Sequence, residues 1–164
     1  MAINGIVQPD VIQITDELRL RKYDGIYEFA FDWYQDEETV YMVDGVKKPY
    51  SRETLTCMYE YLNKQGEMYF IEVIEDGAYK PIGDVCFWKD DMPIVIGEKV
   101  YRGKGIASKV IATLMVRGKE LGYDTLGVNE IYDFNIASRK CFEKMGFEAY
   151  EKTEKGSRFL LKLR

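Results

Sequence analysis

A glycine-rich turn, Arg102-Gly103-Lys104-Gly105-Ile106-Ala107, is the stretch whose residue types and spacing point most directly to chemistry. It follows a strand-like segment at 93–97 and opens a helix-like segment whose apolar residues recur at the spacing of one buried face. Such a turn aims several backbone N–H groups, and the positive end of the helix dipole, at one place. Because glycine has no Cβ, an anion can approach that backbone closely. The turn therefore predicts a site for a phosphate-bearing ligand.

The alternative is an ordinary surface turn that happens to contain two glycines, since a bare G-x-G is a weak motif. The charge distribution favours the phosphate site. The whole chain has 23 basic and 28 acidic residues, a net charge of −5. Against that background, the turn and the segment after it carry one acid, Glu120, and the basic residues Arg102, Lys104, Lys109, Arg117 and Lys119. A basic segment at a glycine turn of an acidic protein suits an anionic ligand.

The residue types that are scarce or missing narrow the chemistry further. There is no histidine, which excludes Ser-His-Asp and Cys-His catalysis and disfavours most catalytic metal sites. The three cysteines, Cys57, Cys86 and Cys141, are widely spaced and form no C-x-x-C pair, a pattern typical of reduced thiols in a cytoplasm. The acidic balance is unfavourable for nucleic-acid binding. We therefore expect a cytoplasmic protein with no metal and no nucleic-acid partner.

A single domain is predicted for residues 1–164, because 46% of the residues are hydrophobic and the chain is long enough to bury a core. No apolar run approaches the roughly 18 residues that cross a bilayer. The N-terminus lacks the basic start and apolar stretch of a signal peptide. We therefore expect no membrane association.

The elements that must position the turn follow from hydrophobic periodicity and from turn residues. In the first half of the chain, a strand is predicted at Leu18–Lys22, followed by a helix over 26–33. The segment 41–50 is predicted to be a loop and the most mobile part of the chain. A second helix is predicted to begin after Ser51 and to end at Gly66.

The second half of the chain alternates strands with two more helices. Two β-rich runs joined by Asp76-Gly77 predict an antiparallel hairpin, ahead of the strand at 93–97. After the glycine turn come a helix, a strand at Thr125–Ile131, a short helix at Ala137–Met145 and a final hairpin. The order is β-α-α-β-β-β-α-β-α-β-β. It predicts an α/β (α+β) fold with a mixed, mostly antiparallel twisted sheet of about seven strands and about four helices on its faces.

Two motifs in this order make the sequence similar to the GNAT superfamily of N-acetyltransferases. The family's acyl-CoA loop has Gln or Arg, Gly three residues later, and Gly or Ala two residues after that, as in Arg102–Ala107. The family's fourth helix has Asn, then Ala or Ser three residues later, and Gly-Phe eleven and twelve residues after the Asn. Asn135, Ser138, Gly146 and Phe147 match it. The sequence looks closest to the bacterial group of ribosomal-protein N-terminal, antibiotic and polyamine acetyltransferases.

The resemblance implies that acetyl-CoA is the acyl donor and that the turn binds its pyrophosphate through backbone amides. The residues implied in cofactor binding are Val100, Arg102, Gly103, Lys104, Gly105, Ile106, Ala107, Ser108 and Asn135. The resemblance places the pantetheine arm between the strand at 94–100 and the strand at Thr125–Ile131, with Asn135 near its end. Asn135 is also suited to cap the last helix, and the two roles are compatible.

For the chemistry, the resemblance implies direct transfer of the acetyl group to a neutral amine. Asp91, Glu98 and Glu130 are carboxylates available as a general base, and each is also compatible with a solvated surface acid. Many family members carry a tyrosine seven residues after the helix asparagine to protonate the leaving thiolate. Phe142 stands there in this sequence, so the general-acid role is unassigned. The thiolate leaves without a dedicated acid, or Ser138 or water protonates it.

Acceptor specificity in the family is set largely by the first two helices and the loop between them. Here that region combines acidic and aromatic residues: Trp33, Tyr34, Asp36, Glu37, Glu38, Tyr41 and Tyr50. The combination suits a cationic amine, such as an aminoglycoside, a polyamine or a peptide N-terminus. The alternative is an amphipathic helix with a solvated acidic end.

An acetyl-CoA-dependent N-acetyltransferase is therefore the predicted function, acting on a small-molecule or peptide amine, in a family where homodimers are common. A dinucleotide or nucleotide binder would need G-x-G-x-x-G or a Walker lysine followed by Ser or Thr, and the turn has neither. The other hypothesis is a GNAT-fold module that binds acyl-CoA without turnover, which the phenylalanine at position 142 allows.

Overall fold

The computed structural model describes residues 2–163, which divide into two compact units. The first contains the residues up to Cys86 together with Ile94–Lys104, and the second contains Phe87–Pro93 together with the residues from Gly105 onward. The boundary at Lys104 and Gly105 falls inside the glycine turn. The prediction of a single domain stays a prediction.

The first unit is built on a five-stranded sheet with strand order β1-β2-β3-β4-β5. Its elements are β1 (Val11–Thr15), β2 (Leu18–Lys22), α1 (Glu37–Asp44), α2 (Arg52–Gln65), β3 (Glu67–Glu75), β4 (Ala78–Phe87) and β5 (Ile94–Ile96). β2 runs antiparallel to β1 and to β3, and β5 runs antiparallel to β4, with Ile96 opposite Gly83. The first seven residues of the central strand β3 are buried. They include the apolar Met68, Tyr69, Phe70, Ile71 and Val73 and the buried acids Glu67 and Glu72, so the core of this unit lies along β3.

The helices of the first unit begin where a side chain caps them. Asp36 accepts a hydrogen bond from the Thr39 N–H at the start of α1, and Ser51 accepts one from the Thr54 N–H at the start of α2. α1 ends at Gly45, whose φ of 76° is left-handed, the usual conformation of a glycine that stops a helix. The predicted start of the second helix at Ser51 is confirmed.

Two expectations for this region were wrong in detail. The predicted helix over 26–33 is a pair of 3-10 turns, Glu28–Ala30 and Asp32–Gln35. This aromatic- and acid-rich run has low helix propensity, and tertiary contacts of Trp33 and Tyr34 hold it in the 3-10 conformation. The α-helix instead occupies Glu37–Asp44 and takes the first residues of the predicted loop at 41–50. The strand β1, which pairs with β2, was not predicted.

A buried carboxylate holds the middle of the first unit together. Asp84 on β4 is only 3% exposed, and its Oδ2 accepts hydrogen bonds from the hydroxyls of Tyr34, at 2.7 Å, and Tyr59, at 2.8 Å. Burial raises the pKa of Asp84 to about 6, against the opposing effect of the two tyrosine hydrogen bonds. Tyr34 also stacks on Tyr50, with ring centroids 5.0 Å apart.

The second unit is a three-stranded antiparallel sheet with two helices. Its elements are α3 (Ile106–Glu120), β6 (Thr125–Tyr132), α4 (Ile136–Lys144), β7 (Glu148–Lys152) and β8 (Gly156–Lys162), and the strand order is β6-β8-β7. Its core contains Val110, Ile111, Leu114, Leu126, Phe142, Phe147 and Phe159. Along β6 and β8, Val128 pairs with Phe159 and Ile131 with Ser157. Between these two pairs the chain advances three residues on β6 but only two on β8, so β6 carries a bulge at Asn129 and Glu130.

The α/β class and the mostly antiparallel strands are confirmed. Residues 2–163 contain four α-helices, as expected, and eight strands where about seven were expected. These strands form two sheets where one was expected. Among residues 2–163 no helix is both long and apolar enough to cross a membrane. In the same residues, no three His, Cys, Asp or Glu side chains are grouped so that they could hold a metal ion.

Candidate cofactor and catalytic site

The glycine turn changes direction at two left-handed residues. Gly103 has φ 72° and Gly105 has φ 79°, values that side chains with a Cβ rarely adopt. A Cβ built on either glycine would meet none of the described atoms within 4 Å. Backbone conformation, and not lack of space, therefore favours glycine at both positions.

The helix that follows the turn begins without a side-chain cap. The N-cap of α3 is Gly105, and among the described residues no side chain bonds to this helix start. The first backbone bond runs from the Lys109 N–H to the Gly105 carbonyl, at 3.2 Å. The amides of residues 106–108 therefore precede the hydrogen-bond ladder of the helix. An anion at this position would accept from them and complement the helix dipole.

The side chains of the turn have different surroundings. Arg102 is bound within the first unit: its Nε donates to the Ile96 carbonyl at 2.8 Å and its Nη2 donates to Thr39 Oγ1 at 3.0 Å. Lys104 is exposed, with its ammonium 5.5 Å from the centroid of the Tyr101 ring. Of the two basic side chains predicted near the phosphates, Lys104 thus faces solvent and Arg102 contacts its own unit.

The segment just before the turn is held by Trp33. A Cβ on Gly97 would lie 2.2 Å from a ring carbon of Trp33, so the indole packs directly on the glycine backbone. The Trp33 Nε1 donates to Glu98 Oε2 at 2.6 Å. Glu98, one of the three predicted base candidates, therefore serves as the acceptor for a buried indole. Val100, two residues further on, is 70% exposed.

Two predicted cofactor residues of the second unit, Ser108 and Asn135, make hydrogen bonds within that unit. The Ser108 hydroxyl lies 3.3 Å from Cys141 Sγ, which links α3 to α4. The Asn135 side chain accepts from the Ser138 N–H at 3.3 Å and so caps α4. The capping role considered for Asn135 is present, and its contact with pantetheine stays a prediction. Phe142 is buried, with its ring centroid 5.1 Å from that of Phe147.

Asp91 is held by two backbone amides. Its Oδ1 accepts from the Met92 N–H at 2.9 Å and from the Asn129 N–H at 3.0 Å. Burial raises the pKa of the Asp91 carboxyl, and the two amide hydrogen bonds oppose that rise. A partly buried acid with a raised pKa has the property expected of a general base. The same bonds also tie the 87–93 segment to β6.

Glu130 lies in the bulge of β6, one residue after Asn129. Its Oε2 accepts a hydrogen bond from the Thr153 hydroxyl, and the Thr153 Oγ1 accepts from the Gly156 N–H at 2.9 Å. Glu130 thereby connects β6 to the turn between β7 and β8. Within the second unit, Asp91 and Glu130 are brought to the same bulge, because Asp91 bonds the amide of the residue that precedes Glu130.

Several side chains predicted to select the acceptor are not exposed to solvent. Trp33, Tyr34 and Tyr50 are 3%, 1% and 8% exposed, so these three aromatic rings belong to the core of the first unit. Asp36 bonds Lys99 at 2.8 Å, and Glu38 lies 4.0 Å from the same ammonium. Glu37 and Glu38 are the exposed acids at the start of α1.

Sequence reasoning missed Thr39, which contacts both Asp36 and Arg102. A threonine three residues after an aspartate, just ahead of the buried Val40, is a helix-start signal that locates α1 and could have drawn attention to it.

The fold is similar to solved structures at low sequence identity. A domain from Methanocaldococcus jannaschii DSM 2661 has a TM-score of 0.77 and 21% identity, over 89% of this chain and 98% of that one. RimL, a ribosomal L7/L12 alpha-N-protein acetyltransferase solved with coenzyme A, has a TM-score of 0.72 and 15% identity, over 93% of this chain and 97% of that one. The aminoglycoside acetyltransferase AAC(6')-Ib, also solved with coenzyme A, has a TM-score of 0.70 and 15% identity, over 88% of this chain and 94% of that one.

Sequence comparison gives two further findings. Among curated proteins, none matches this chain in sequence. The profile of the acetyltransferase (GNAT) family matches residues 27–147, a range that runs from the 3-10 turns before α1 to the Phe147 of the last-helix motif. That range includes the glycine turn and α3, and it covers most of the chain. The chain therefore belongs to the GNAT acetyltransferase family.

Proposed function

We propose that the protein is an acetyl-CoA-dependent N-acetyltransferase that moves the acetyl group directly to a primary amine. The observation that carries the proposal is the uncapped start of α3 behind two left-handed glycines, in a chain of the GNAT acetyltransferase family. The relatives RimL and AAC(6')-Ib were solved with coenzyme A, which supports the same donor here.

The cofactor is bound mainly by backbone. The amides of residues 106–108 donate to the pyrophosphate, and the exposed Lys104 adds a positive charge beside it. Hydrogen bonds to a charged group contribute about 1.5–3 kcal/mol each, and a micromolar dissociation constant corresponds to about 8 kcal/mol. Three such bonds therefore supply much of a micromolar affinity before the cost of ordering the ligand is subtracted.

The attacking amine must be neutral, and its pKa decides how much help it needs. For a lysine-like amine with a pKa near 10.4, deprotonation at pH 7 costs about 4.6 kcal/mol. For an α-amine with a pKa near 7.8 the cost is only about 1 kcal/mol. A peptide N-terminus therefore reacts with little assistance, whereas a polyamine or aminoglycoside needs a positioned base.

Asp91 and Glu130 are the proposed bases, and Asp91 is the better supported. Burial raises the pKa of Asp91, which moves its basicity toward neutral pH, where general-base catalysis is most effective. Glu130 lies at the same bulge and bonds Thr153. Glu98 is disfavoured, because its carboxylate is already bonded to Trp33. Ser138 or a water molecule would return a proton to the thiolate.

The acceptor is proposed to be a cationic amine. The exposed acids Glu37 and Glu38 lie at the start of α1, and opposite charges attract a cationic ligand at the surface. RimL is described as an α-N-protein acetyltransferase and AAC(6')-Ib as an aminoglycoside acetyltransferase, so relatives with this fold accept both kinds of amine.

The test is thiol release from acetyl-CoA across a panel of aminoglycosides, polyamines and peptides with free N-termini. We expect at least one class to raise release well above hydrolysis. An Asp91→Asn variant should lower the rate more for lysine-like amines than for α-amines, because only the former need a strong base.

The second candidate function is acyl-CoA binding without turnover, and the buried Phe142 in place of the family's tyrosine favours it. Calorimetric binding of coenzyme A with no amine-dependent turnover across the panel would establish that function instead. The absence of any coenzyme A binding would reject both.

A further inference from the structure

A closed ring of hydrogen bonds joins the start of α1 to the residues that enter the glycine turn, all within the first unit. The Arg102 Nη2 donates to Thr39 Oγ1 at 3.0 Å, and the Thr39 hydroxyl donates to Asp36 Oδ2 at 2.9 Å. Asp36 Oδ1 accepts from the Lys99 ammonium at 2.8 Å. Lys99 and Arg102 are connected by the short 3-10 turn between them, where the Arg102 N–H donates to the Lys99 carbonyl.

Thr39 is the central member of this ring. It is only 3% exposed, and its hydroxyl both accepts from Arg102 and donates to Asp36. Its backbone N–H also donates to Asp36 Oδ2, at 2.9 Å. A hydrogen bond from a charged donor to a buried hydroxyl is worth more than a neutral one, and it is costly to leave half-made.

The ring also fixes Arg102 at a second point. The Arg102 Nε donates to the Ile96 carbonyl at 2.8 Å, so the guanidinium is bound both to β5 and to α1. Two of its N–H groups are therefore already hydrogen-bonded to protein acceptors. An arginine held in this way constrains the backbone that carries it, which here is the first residue of the glycine turn.

We propose that Thr39 is a positioning residue for the cofactor: by holding Arg102, it sets the conformation of the first half of the turn, Arg102–Lys104. This inference rests on the proposed acetyl-CoA site. It assigns Arg102 an indirect role in place of direct contact with a phosphate. The two roles predict different changes in acetyl-CoA affinity when the Thr39 hydroxyl is removed, because its removal releases Arg102. Release weakens binding if Arg102 holds the turn, and it strengthens binding or leaves it unchanged if Arg102 contacts phosphate directly.

The first test is Thr39→Val, which removes the hydroxyl and keeps the shape of the side chain. Calorimetry with acetyl-CoA, well below the melting temperature, should show a dissociation constant about tenfold higher. Thr39→Ser restores the hydroxyl and should bind within about twofold of the original protein. In turnover, Thr39→Val should raise KM for acetyl-CoA and leave kcat at saturation within about twofold.

The matched control is Thr54→Val on α2. Thr54 occupies the same helix position: its N–H donates to Ser51 Oγ at 3.1 Å, and its Oγ1 accepts from the Ser51 hydroxyl at 3.0 Å. Thr54→Val removes that hydroxyl contact, which is separate from the ring, and should keep its acetyl-CoA affinity. A folded Thr39→Val protein that binds acetyl-CoA as well as Thr54→Val does would show that the inference is wrong.

A second variant covers the case in which Thr39→Val does not fold. Asp36→Asn keeps a good N-cap and weakens the ring by removing the charge that Lys99 and Thr39 contact. Loss of one negative charge should strengthen binding of an anionic cofactor by simple electrostatics. The ring predicts the opposite, a dissociation constant about threefold higher. Tighter binding by Asp36→Asn, or by a folded Thr39→Val, would overturn the proposal.

If the unmodified protein binds no acetyl-CoA, the proposed function fails first and this inference falls with it.

Discussion

The start of α3 differs from the starts of the other three α-helices in residues 2–163. α1, α2 and α4 each begin at a residue whose side chain accepts a backbone N–H: Asp36, Ser51 and Asn135. α3 begins at Gly105, which has no side chain to offer, and no other described side chain takes its place. Both glycines of the turn that precedes it are left-handed.

Side chains complete three of these helix starts, whereas the start of α3 has no side-chain cap among the described residues. A capped helix satisfies its first amides internally and needs nothing further. An uncapped start keeps amides available, and it is stable enough here because α3 buries an apolar face of Ile106, Val110, Ile111 and Leu114. In an acetyl-CoA site, the pyrophosphate acts as the cap of α3.

Gly105→Asp should cause the largest loss of acetyl-CoA affinity, because it places a charged side chain at the uncapped start of α3. The new carboxylate lies where the pyrophosphate is proposed to bind, and like charges 4 Å apart repel by about 4 kcal/mol at an effective dielectric constant of 20. We expect the dissociation constant for acetyl-CoA, measured by calorimetry, to rise at least about a hundredfold. The fold should survive, because aspartate tolerates a left-handed φ and a Cβ at this position meets none of the described atoms within 4 Å.

Gly105→Asn is the matched control, because asparagine has the same shape, a similar tolerance of the left-handed region and no charge. It should weaken binding far less than Gly105→Asp. A folded Gly105→Asp protein with unchanged affinity for acetyl-CoA would show that the cofactor binds elsewhere.

Removing the side chain that caps α2 should lower stability and leave acetyl-CoA affinity unchanged. Ser51→Ala should lower the free energy of unfolding by about 1 kcal/mol, because the Thr54 amide loses its acceptor. Urea denaturation measures that change, and acetyl-CoA affinity should stay as it was. Asn135→Ala should lose a similar stability. A fall in acetyl-CoA affinity in Asn135→Ala alone would support its predicted second role beside the pantetheine, and equal affinity in both variants would contradict it.

The smallest expected effect is a pH dependence of the unfolding free energy. Of the three capping side chains, only Asp36 should cause it. The Lys99 hydrogen bond, helped by the Thr39 bonds, lowers the pKa of Asp36 from 3.8 to about 2. Because the folded-state pKa is depressed, this stabilisation is present above about pH 4 and is lost as the pH falls toward 2. Asp36→Ser keeps a cap that does not titrate. The unfolding free energies of the two proteins should therefore converge between pH 4 and pH 2, whereas a constant difference would contradict the role of Lys99.

Local patterns predicted the parts of this molecule that local chemistry determines. The Ser51 cap, the Asp76-Gly77 hairpin and the motif helices depend on residues close in sequence, and these elements are present. The 3-10 turns in place of a first helix depend on packing: Trp33 lies against Gly97 and Tyr34 binds Asp84. Apolar spacing cannot reveal partners that are 50 to 64 residues away in sequence, so the aromatic residues of this region were assigned to an acceptor site.

The same limit applies to the candidate site. The residue types of the turn and of Asp91 were visible in the sequence. The amide partner of Asp91 was not, because the Asn129 N–H reaches it only through the arrangement of β6. The resemblance to the family, together with its charge, assigned the arginine of the acyl-CoA motif to phosphate. Its bond to Thr39 depends on where α1 begins, which the motif does not reveal.

The carboxylate of Asp84 has a consequence for how the first unit folds. Its two tyrosine partners come from separate places, Tyr34 from a 3-10 turn and Tyr59 from α2. A form in which only one of them has docked would bury a carboxylate with half of this hydrogen bonding, and half-satisfied buried polar groups are costly. The cluster thus penalises partly assembled states more than the native state. It links α2, the 3-10 turn that carries Tyr34 and β4 into one cooperative step.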